Sequence, residues 1–208
     1  YQIQKDTKER VSNIMVMGMG EPLDNYEELL RFIKLVSCEK GIGISQRNIT
    51  VSTCGLVDKI RMLADEKLQI TLAISLHAPN DEIRRQTMPI ANRYTIGEII
   101  QACKYYFDKT GRRITFEYSM IRGVNDKEEH AKELAGRLSG LNCHINLIPL
   151  NEVKERNCYR STKEDIEKFK TILEKYRKTV TIRREMGSDI DAACGQLRKK
   201  FLTKNGRN

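Results

Sequence analysis

Residues 11–36, VSNIMVMGMGEPLDNYEELLRFIKLV, contain the pattern that decides the fold. The first part, 11–17, is rich in apolar residues and predicts a β-strand. After a turn with two glycines, apolar side chains recur every three or four residues, which predicts an amphipathic helix over 26–36. A strand that leads into a helix is the βα unit from which parallel sheets are built.

The same alternation continues along the chain. We predict further strands at 48–52, 70–75, 114–120, 144–148 and 180–183. We predict further helices at 57–64, 96–107, 127–138 and 162–176. Asp126 and Ser161 are the expected N-caps, Ser161 with Glu164 as a capping box, while Gly111 and Gly140 stand where helices would end. Six such units form either an open doubly wound sheet or a full or partial (β/α) barrel, and periodicity does not separate them.

Size and composition indicate one soluble domain with a basic surface. The chain has 208 residues and no internal repeat or Pro-rich linker, so we predict a single domain over 1–208, with its core in about 11–198 and a loose tail over 199–208. The formal charge of +9 favours a polyanionic partner such as nucleic acid, although a merely soluble basic surface explains it equally well.

Some classes of protein and site are disfavoured. No stretch is apolar for long enough to span a bilayer, which predicts no membrane partner and a cytoplasmic location. The six cysteines include no C-x-x-C pair, so neither a zinc ribbon nor a small disulfide framework is suggested. The glycines of GMGEP are followed by Glu21 and by Leu23 in place of a third glycine, which argues against a phosphate loop.

Polar residues stand at the ends of most predicted strands, where the carboxyl ends of a barrel would meet at one mouth. They are Glu21, Ser52, Ser75, His77, Asn151 and Glu185. The simpler alternative is that loops are polar anyway. His77 has no acidic partner that would argue for a Ser-His-Asp triad. Cys194 lies among small residues, but Asp189 and Asp191 would raise the pKa of a nearby thiol, so an ordinary structural cysteine is the alternative there.

Six separated motifs, in order, closely resemble the radical S-adenosylmethionine RNA methyltransferases of the RlmN and Cfr group. They are GMGEPLDN, ITVSTCGLV, LAISLHAPNDEIR, FEYSMIRGVND, CHINLIPLN and REMGSDIDAACGQLR. Pro22 and Pro149 are more similar to the RlmN branch. The resemblance implies an α/β fold, a partial (β/α) barrel of the radical SAM type with parallel strands. It also implies a parent enzyme that methylates carbon 2 of adenosine in large-subunit ribosomal RNA, with transfer RNA as a further substrate of some members.

The resemblance also implies roles for individual residues. The implied contacts to S-adenosylmethionine are Gly20, Glu21, Ser52, Ser75, Leu76, His77 and Asn151. Cys194 matches the cysteine that receives a methyl group and becomes S-methylcysteine. The parent would also need a [4Fe-4S] cluster, a reducing partner such as flavodoxin or ferredoxin, and a second cysteine that resolves the methylene-bridged adduct. A disulfide bond is expected as well.

One departure from the family is serious. The cluster-binding C-x-x-x-C-x-x-C spacing is absent, so no metal ligand is predicted in this chain. The chain opens on Tyr1, and its first residues look like the approach to a strand. We therefore expect a fragment that lacks the N-terminal strand and cluster loop, and that is inactive alone. A noncatalytic RNA- or ribosome-binding barrel is the alternative, while a barrel enzyme for a small phosphorylated substrate lacks a supporting phosphate-loop motif.

Overall fold

The computed structural model describes residues 2–17, 20–151 and 159–184. The strands are β1 Ile14–Val16, β2 Ile49–Thr53, β3 Thr71–Ser75, β4 Ile114–Met120, β5 Cys143–Pro149 and β6 Thr179–Ile182. The helices are α1 Gln2–Thr7, α2 Tyr26–Ser37, α3 Val57–Asp65, α4 Asp81–Thr87, α5 Ile96–Thr110, α6 Glu128–Arg137 and α7 Lys163–Lys175. Short 3-10 turns occupy Pro22–Asn25, Gln46–Asn48 and Pro89–Asn92.

The sheet resolves the choice that periodicity left open. The described strands form one six-stranded sheet in the order β1-β2-β3-β4-β5-β6, and every neighbouring pair is parallel. This sequential order is that of a barrel wall, because a doubly wound sheet reverses its strand order at a switch point. β1 and β6 are the two edges within the described part of the chain, so the sheet is not closed. The predicted partial (β/α) barrel is confirmed.

The two faces of the sheet differ in chemistry because side chains alternate along each strand. One face is apolar and buried, and it joins the helices in one hydrophobic core through residues such as Val51, Ile74 and Phe116. The other face, which we call the polar face, carries the alternate side chains, most of them half-buried or exposed. It consists of Met15, Thr50, Ser52, Thr71, Ala73, Ser75, Thr115, Glu117, Ser119, His144, Asn146, Ile148, Thr179 and Thr181.

Two predicted helix caps are wrong. The N-caps of α6 and α7 are Lys127 and Thr162, each one residue after the predicted position, and the Thr162 hydroxyl accepts from the Asp165 backbone N–H. Asp126 and Ser161 instead bond to each other, with 2.7 Å from Ser161 Oγ to Asp126 Oδ2. The two residues therefore join the starts of neighbouring helices across the fold. No local pattern predicts such a long-range contact.

Two short helices were also missed. The first residues were expected to approach a strand, but Gln2–Thr7 form α1, which has no buried residue. Asp81–Thr87 form α4, whose N-cap Asn80 accepts from the Ile83 backbone N–H at 3.0 Å. In contrast, Gly111 ends α5 as predicted, and its φ of +66° is a left-handed conformation that glycine adopts without strain.

Several expectations can be compared only with part of the chain. Within the described residues Cys38, Cys54, Cys103 and Cys143 are free thiols, so the disulfide bond implied by the resemblance is not found among them. None of the described helices is both long enough and apolar enough to cross a membrane. The tail over 199–208, and the end of the predicted core beyond 184, lie outside the described residues. The assignment of 1–208 to one domain remains a prediction.

Candidate functional site

The turn after β1 is fastened to the end of β2 by Glu21. Its Oε2 accepts from the Cys54 backbone N–H at 2.7 Å, and its Oε1 accepts from the Leu23 backbone N–H at 3.0 Å. Gly20 precedes it with a φ of +119°, which a side chain would strain. Gly20 and Glu21 therefore act together, because the glycine permits the turn that places the carboxylate at the carboxyl ends of the strands. We call this end of the sheet the edge of the site.

Cys54 lies at this edge but is not a nucleophile. Burial, followed by the hydrogen bond and negative charge of Glu21, raises the pKa of its thiol to about 12. The thiolate is the reactive form of cysteine, so Cys54 stays protonated and unreactive at neutral pH. Ser52, two residues earlier, is half-buried on the polar face, in register with Ala73 of β3.

The end of β3 is held by β4 beyond the last strand residue. The backbone N–H groups of Leu76 and His77 both donate to the Glu117 carbonyl, at 3.1 Å and 3.2 Å. The Leu76 side chain is fully buried in the core, so it offers nothing to a ligand at the edge. Within the predicted Ser75 to His77 segment, two side-chain groups remain accessible to a ligand. They are the Ser75 hydroxyl and the His77 ring.

The His77 ring has a defined protonation state. Ser119 donates its backbone N–H to His77 Nδ1 at 3.0 Å, which requires this nitrogen to carry no hydrogen. Burial, followed by the positive charge of Arg84, lowers the pKa of His77 to about 4. The ring is therefore neutral at pH 7, with its hydrogen on Nε2. Within the described residues no hydrogen bond uses Nε2, and the residue is partly accessible to solvent.

Arg84 of α4 fixes the carboxyl ends of β2 and β3 from inside the core. It is fully buried, and its guanidinium donates to four backbone carbonyls. These are Cys54 O at 2.7 Å, Leu76 O at 3.2 Å, Tyr94 O at 3.3 Å and Ser75 O at 3.5 Å. Arg84 lies within the motif LAISLHAPNDEIR, but the sequence alone indicates no role for it. An arginine on a short helix has no local signal of burial.

A second group that sequence reasoning missed lies on the polar face. Asn146 Nδ2 donates to Glu117 Oε2 at 3.0 Å, and the Thr181 hydroxyl donates to Asn146 Oδ1 at 3.2 Å. Burial raises the pKa of the Glu117 carboxyl, against the opposing effects of Asn146 and Arg183. Glu117 is in register with Ser75 and Asn146, so a row of polar groups crosses three strands.

The predicted site residues are brought together only in part. Glu21, Ser52, Ser75 and His77 lie at the carboxyl ends of β1, β2 and β3, which are adjacent in the sheet. Asn151 follows β5 and is half-buried, and no hydrogen bond within the described chain joins it to the others. Cys194 lies outside the described residues. Taken together, the edge offers hydroxyl, imidazole and carboxylate groups for a polar ligand that lies across neighbouring strands.

Comparison with known proteins identifies the fold family. The family model of the radical SAM superfamily matches residues 1–135. The chain belongs to the radical SAM superfamily. A crystal structure of a radical SAM methyltransferase from Sphaerobacter thermophilus superimposes with a TM-score of 0.89 at 47% identity, covering 94% of this chain and 57% of that one. A domain of a pyruvate-formate lyase-activating enzyme from Bacteroides vulgatus shares the fold alone, with a TM-score of 0.63 at 21% identity over 84% of this chain and all of that domain.

Curated relatives of this radical SAM chain are named as RNA-modifying enzymes. A probable dual-specificity RNA methyltransferase RlmN from Lachnospira eligens is 62% identical over 97% of this chain and 58% of that protein. A relative of the same name from Lachnoclostridium phytofermentans is 60% identical over 98% of this chain and 57% of that protein. The resemblance to the RlmN group is confirmed. The chain spans less than three fifths of the length of these relatives.

The residues present fit one of the two cofactors that radical SAM methyltransferases use. S-adenosylmethionine has hydroxyl, amino and carboxylate groups, which suit the hydroxyl, imidazole and carboxylate groups at the sheet edge. The [4Fe-4S] cluster is different. The described residues contain no group of three or more His, Cys, Asp or Glu side chains placed to hold a metal ion, and the full sequence lacks C-x-x-x-C-x-x-C. We assign no cluster ligand to this chain.

Proposed function

We propose that this chain is the S-adenosylmethionine-binding barrel of an enzyme that methylates carbon 2 of adenosine in large-subunit ribosomal RNA and in transfer RNA. The observation that carries the proposal is the 62% identity, over 97% of the chain, to a relative named a dual-specificity RNA methyltransferase. The net charge of +9 suits an RNA substrate, because basic side chains neutralise backbone phosphates.

The proposed cofactor contacts are the groups at the ends of adjacent strands. Ser75 and His77 supply a hydroxyl and a neutral imidazole at the end of β3, and Ser52 supplies a hydroxyl on β2. Gly20 and Glu21 close the edge beside them, and the backbone of the turn is held by the Glu21 carboxylate. Leu76 contributes through its fixed backbone. Asn151 is proposed as a further contact on the side of β5.

The proposed methyl carrier is Cys194, which lies outside the described residues. S-adenosylmethionine, when bound, supplies the methyl group that Cys194 would accept to become S-methylcysteine, with the thiol proton lost and S-adenosylhomocysteine as the leaving group. Three of the four described cysteines are unsuited to this role, and the exposed Cys38 serves below as the control. Cys54 is held protonated beside Glu21, while Cys103 and Cys143 are buried, and burial raises the pKa of both thiols.

The methyl carrier can be tested in the full gene product, purified from cells. We expect peptide mass spectrometry to find one methyl group on Cys194, and Cys194→Ala to abolish 2-methyladenosine in the RNA of a host that lacks its own enzyme. Cys38→Ala is the matched control, because Cys38 is exposed at the end of α2, and it should leave methylation unchanged. Full methylation by Cys194→Ala would reject the carrier role.

Cofactor binding is measured separately, by calorimetric titration of S-adenosylmethionine into the protein. Ser75→Ala is expected to weaken binding by about fivefold, since one hydrogen bond contributes about 1 kcal/mol. Ser139→Ala is the control, because Ser139 is exposed in the turn after α6. If the full gene product binds RNA but neither binds S-adenosylmethionine nor methylates RNA, the noncatalytic RNA-binding alternative takes the place of the proposed enzyme.

A further inference from the structure

His77 has an unusual backbone that the surrounding residues hold in place. Its φ is +57°, a left-handed conformation that costs a non-glycine residue on the order of 1–2 kcal/mol. Such strain persists only where neighbouring contacts over-determine the geometry, and it is found at ligand clamps. The contacts on the His77 backbone and ring therefore indicate which residues set its position.

Asn125 holds both partners of the hydrogen bond that fixes the ring. Its side chain is fully buried, and Nδ2 donates to the His77 carbonyl at 2.8 Å and to the Ser119 carbonyl at 2.7 Å. Its Oδ1 accepts from the Ile121 backbone N–H at 2.8 Å. These partners fix the amide orientation, because the two carbonyls need a donor and the N–H needs an acceptor.

We propose that Asn125 is a positioning residue that holds His77 with its hydrogen on Nε2, so that the ring presents a hydrogen-bond donor to the ligand. The proposal rests on the proposed cofactor role of His77. By tying the His77 carbonyl to the Ser119 carbonyl, Asn125 sets the distance at which Ser119 N–H meets His77 Nδ1. The ligand atom beside Nε2 must then be an acceptor, such as an ether, hydroxyl or carboxylate oxygen or an unprotonated ring nitrogen.

The electrostatic surroundings support a neutral ring. Arg84 is the charged group that lowers the pKa of His77, and it does so from the core side of β3. From β4 the ring meets the Ser119 backbone N–H, and the nearby Glu117 contributes its carbonyl to the His77 backbone N–H. The Ser119 N–H that donates to Nδ1 and the buried Arg84 guanidinium both disfavour the protonated, positively charged ring. His77 is thus a fixed donor and not a group that transfers protons.

The test is an NMR measurement of imidazole nitrogen resonances, which the three histidines of the chain make simple to assign. In the unsubstituted protein we expect His77 Nδ1 unprotonated and Nε2 protonated, without titration between pH 7 and pH 5. In Asn125→Asp the acceptor for Ile121 remains but both donated bonds are lost. We expect the Nδ1–H tautomer to appear, because the His77 and Ser119 carbonyls are no longer tied to one side chain.

Tyr118→Phe is the matched control. The Tyr118 hydroxyl donates to the Asn125 backbone carbonyl at 2.7 Å, so its loss weakens the same loop but keeps the Asn125 amide. The His77 tautomer should not change in this variant. If Asn125→Asp does not fold, Asn125→Ser keeps one donor and should give a smaller shift in the same direction. A hydrogen on Nδ1 in the unsubstituted protein, or an unchanged His77 in the folded Asn125 variant, overturns the proposal.

Binding of S-adenosylmethionine to the same variants separates this proposal from the proposed function. A shifted His77 tautomer with weaker binding supports both. A shifted tautomer with unchanged binding supports the positioning role of Asn125 and rejects the cofactor role of His77. If the unsubstituted full gene product does not bind S-adenosylmethionine, the proposed function fails, and the nitrogen resonances still decide whether Asn125 controls the ring.

Discussion

Replacing Arg84 by Met should destabilise the fold and the site together. Met keeps much of the apolar stem but donates no hydrogen bond to the four carbonyls that Arg84 serves. A hydrogen bond to a charged group contributes about 1.5–3 kcal/mol, and the bonds to Cys54 and Leu76 are the two shortest. Counting those two near the lower bound, and the longer bonds as little, gives a loss of about 3–4 kcal/mol.

The loss is partly offset, because Met removes the cost of burying a cation that has no carboxylate hydrogen-bonded to it among the described residues. We therefore expect the free energy of unfolding to fall by about 3 kcal/mol, measured by urea denaturation. Arg85→Met is the matched control, since Arg85 is the next residue, is exposed, and should change stability by about 0.5 kcal/mol or less.

The expected functional result follows from the same contacts. Arg84 holds the carbonyls of Cys54, Ser75 and Leu76, so its loss frees the ends of β2 and β3 on which the proposed cofactor site is built. Arg84→Met should weaken S-adenosylmethionine binding even at temperatures at which the variant is folded. A change in unfolding free energy below about 1 kcal/mol, or the same change in Arg85→Met, would refute the role assigned to the buried guanidinium.

Three further predictions follow from individual groups. The native pKa of His77, about 4, lies below its usual 6.5, so the free energy of unfolding should fall as pH decreases from 6.5 to 4. At pH 5 protonation of this ring in the unfolded state should lower the free energy of unfolding by about 2 kcal/mol relative to pH 7. This loss should be absent in His77→Asn when unfolding is measured at both pH values. Alkylation at pH 8 followed by peptide mass spectrometry should modify exposed Cys38 well before Cys54, whose pKa is about 12; equal rates would contradict the buried-thiol assignment. Gly55→Ala should lower stability by about 1–3 kcal/mol in urea denaturation, because φ is +101° and the new Cβ would lie 2.8 Å from Ile99 Cδ1; an unchanged midpoint would contradict this.

The elements of the barrel could be predicted from the sequence because their signals are local. Within the described residues, strand and helix periodicity located the six strands and the five longer helices, and glycine marked the end of α5. The short α1 and α4 were missed because six or seven residues show too few turns for a period to be recognised. Asp126 and Ser161 have the right chemistry for caps, but a mutual hydrogen bond across 35 positions outweighed it.

The functional site could also be predicted from the sequence only in part. Strand-end polarity and family motifs placed Glu21, Ser52, Ser75 and His77 on adjacent strands, and the sheet order agrees. The residues that hold this edge could not be inferred, because Arg84 and Asn125 act on backbone atoms far from them in sequence. A side chain that serves carbonyl groups leaves no pattern in the residues it contacts, since every residue has a carbonyl. Such supports become visible only in three dimensions.

The difference between the two faces of the sheet bears on how this barrel can change during evolution. The apolar face carries the packing of the core, while the polar face carries mainly small hydroxyl and amide side chains. Substitutions at partly accessible hydroxyl positions of the polar face, such as Ser52→Thr, should therefore change the groups offered to a ligand at a smaller cost in folding free energy than substitutions on the apolar face. The same wall of strands can be adapted to new ligands, provided that buried supports such as Arg84 are retained.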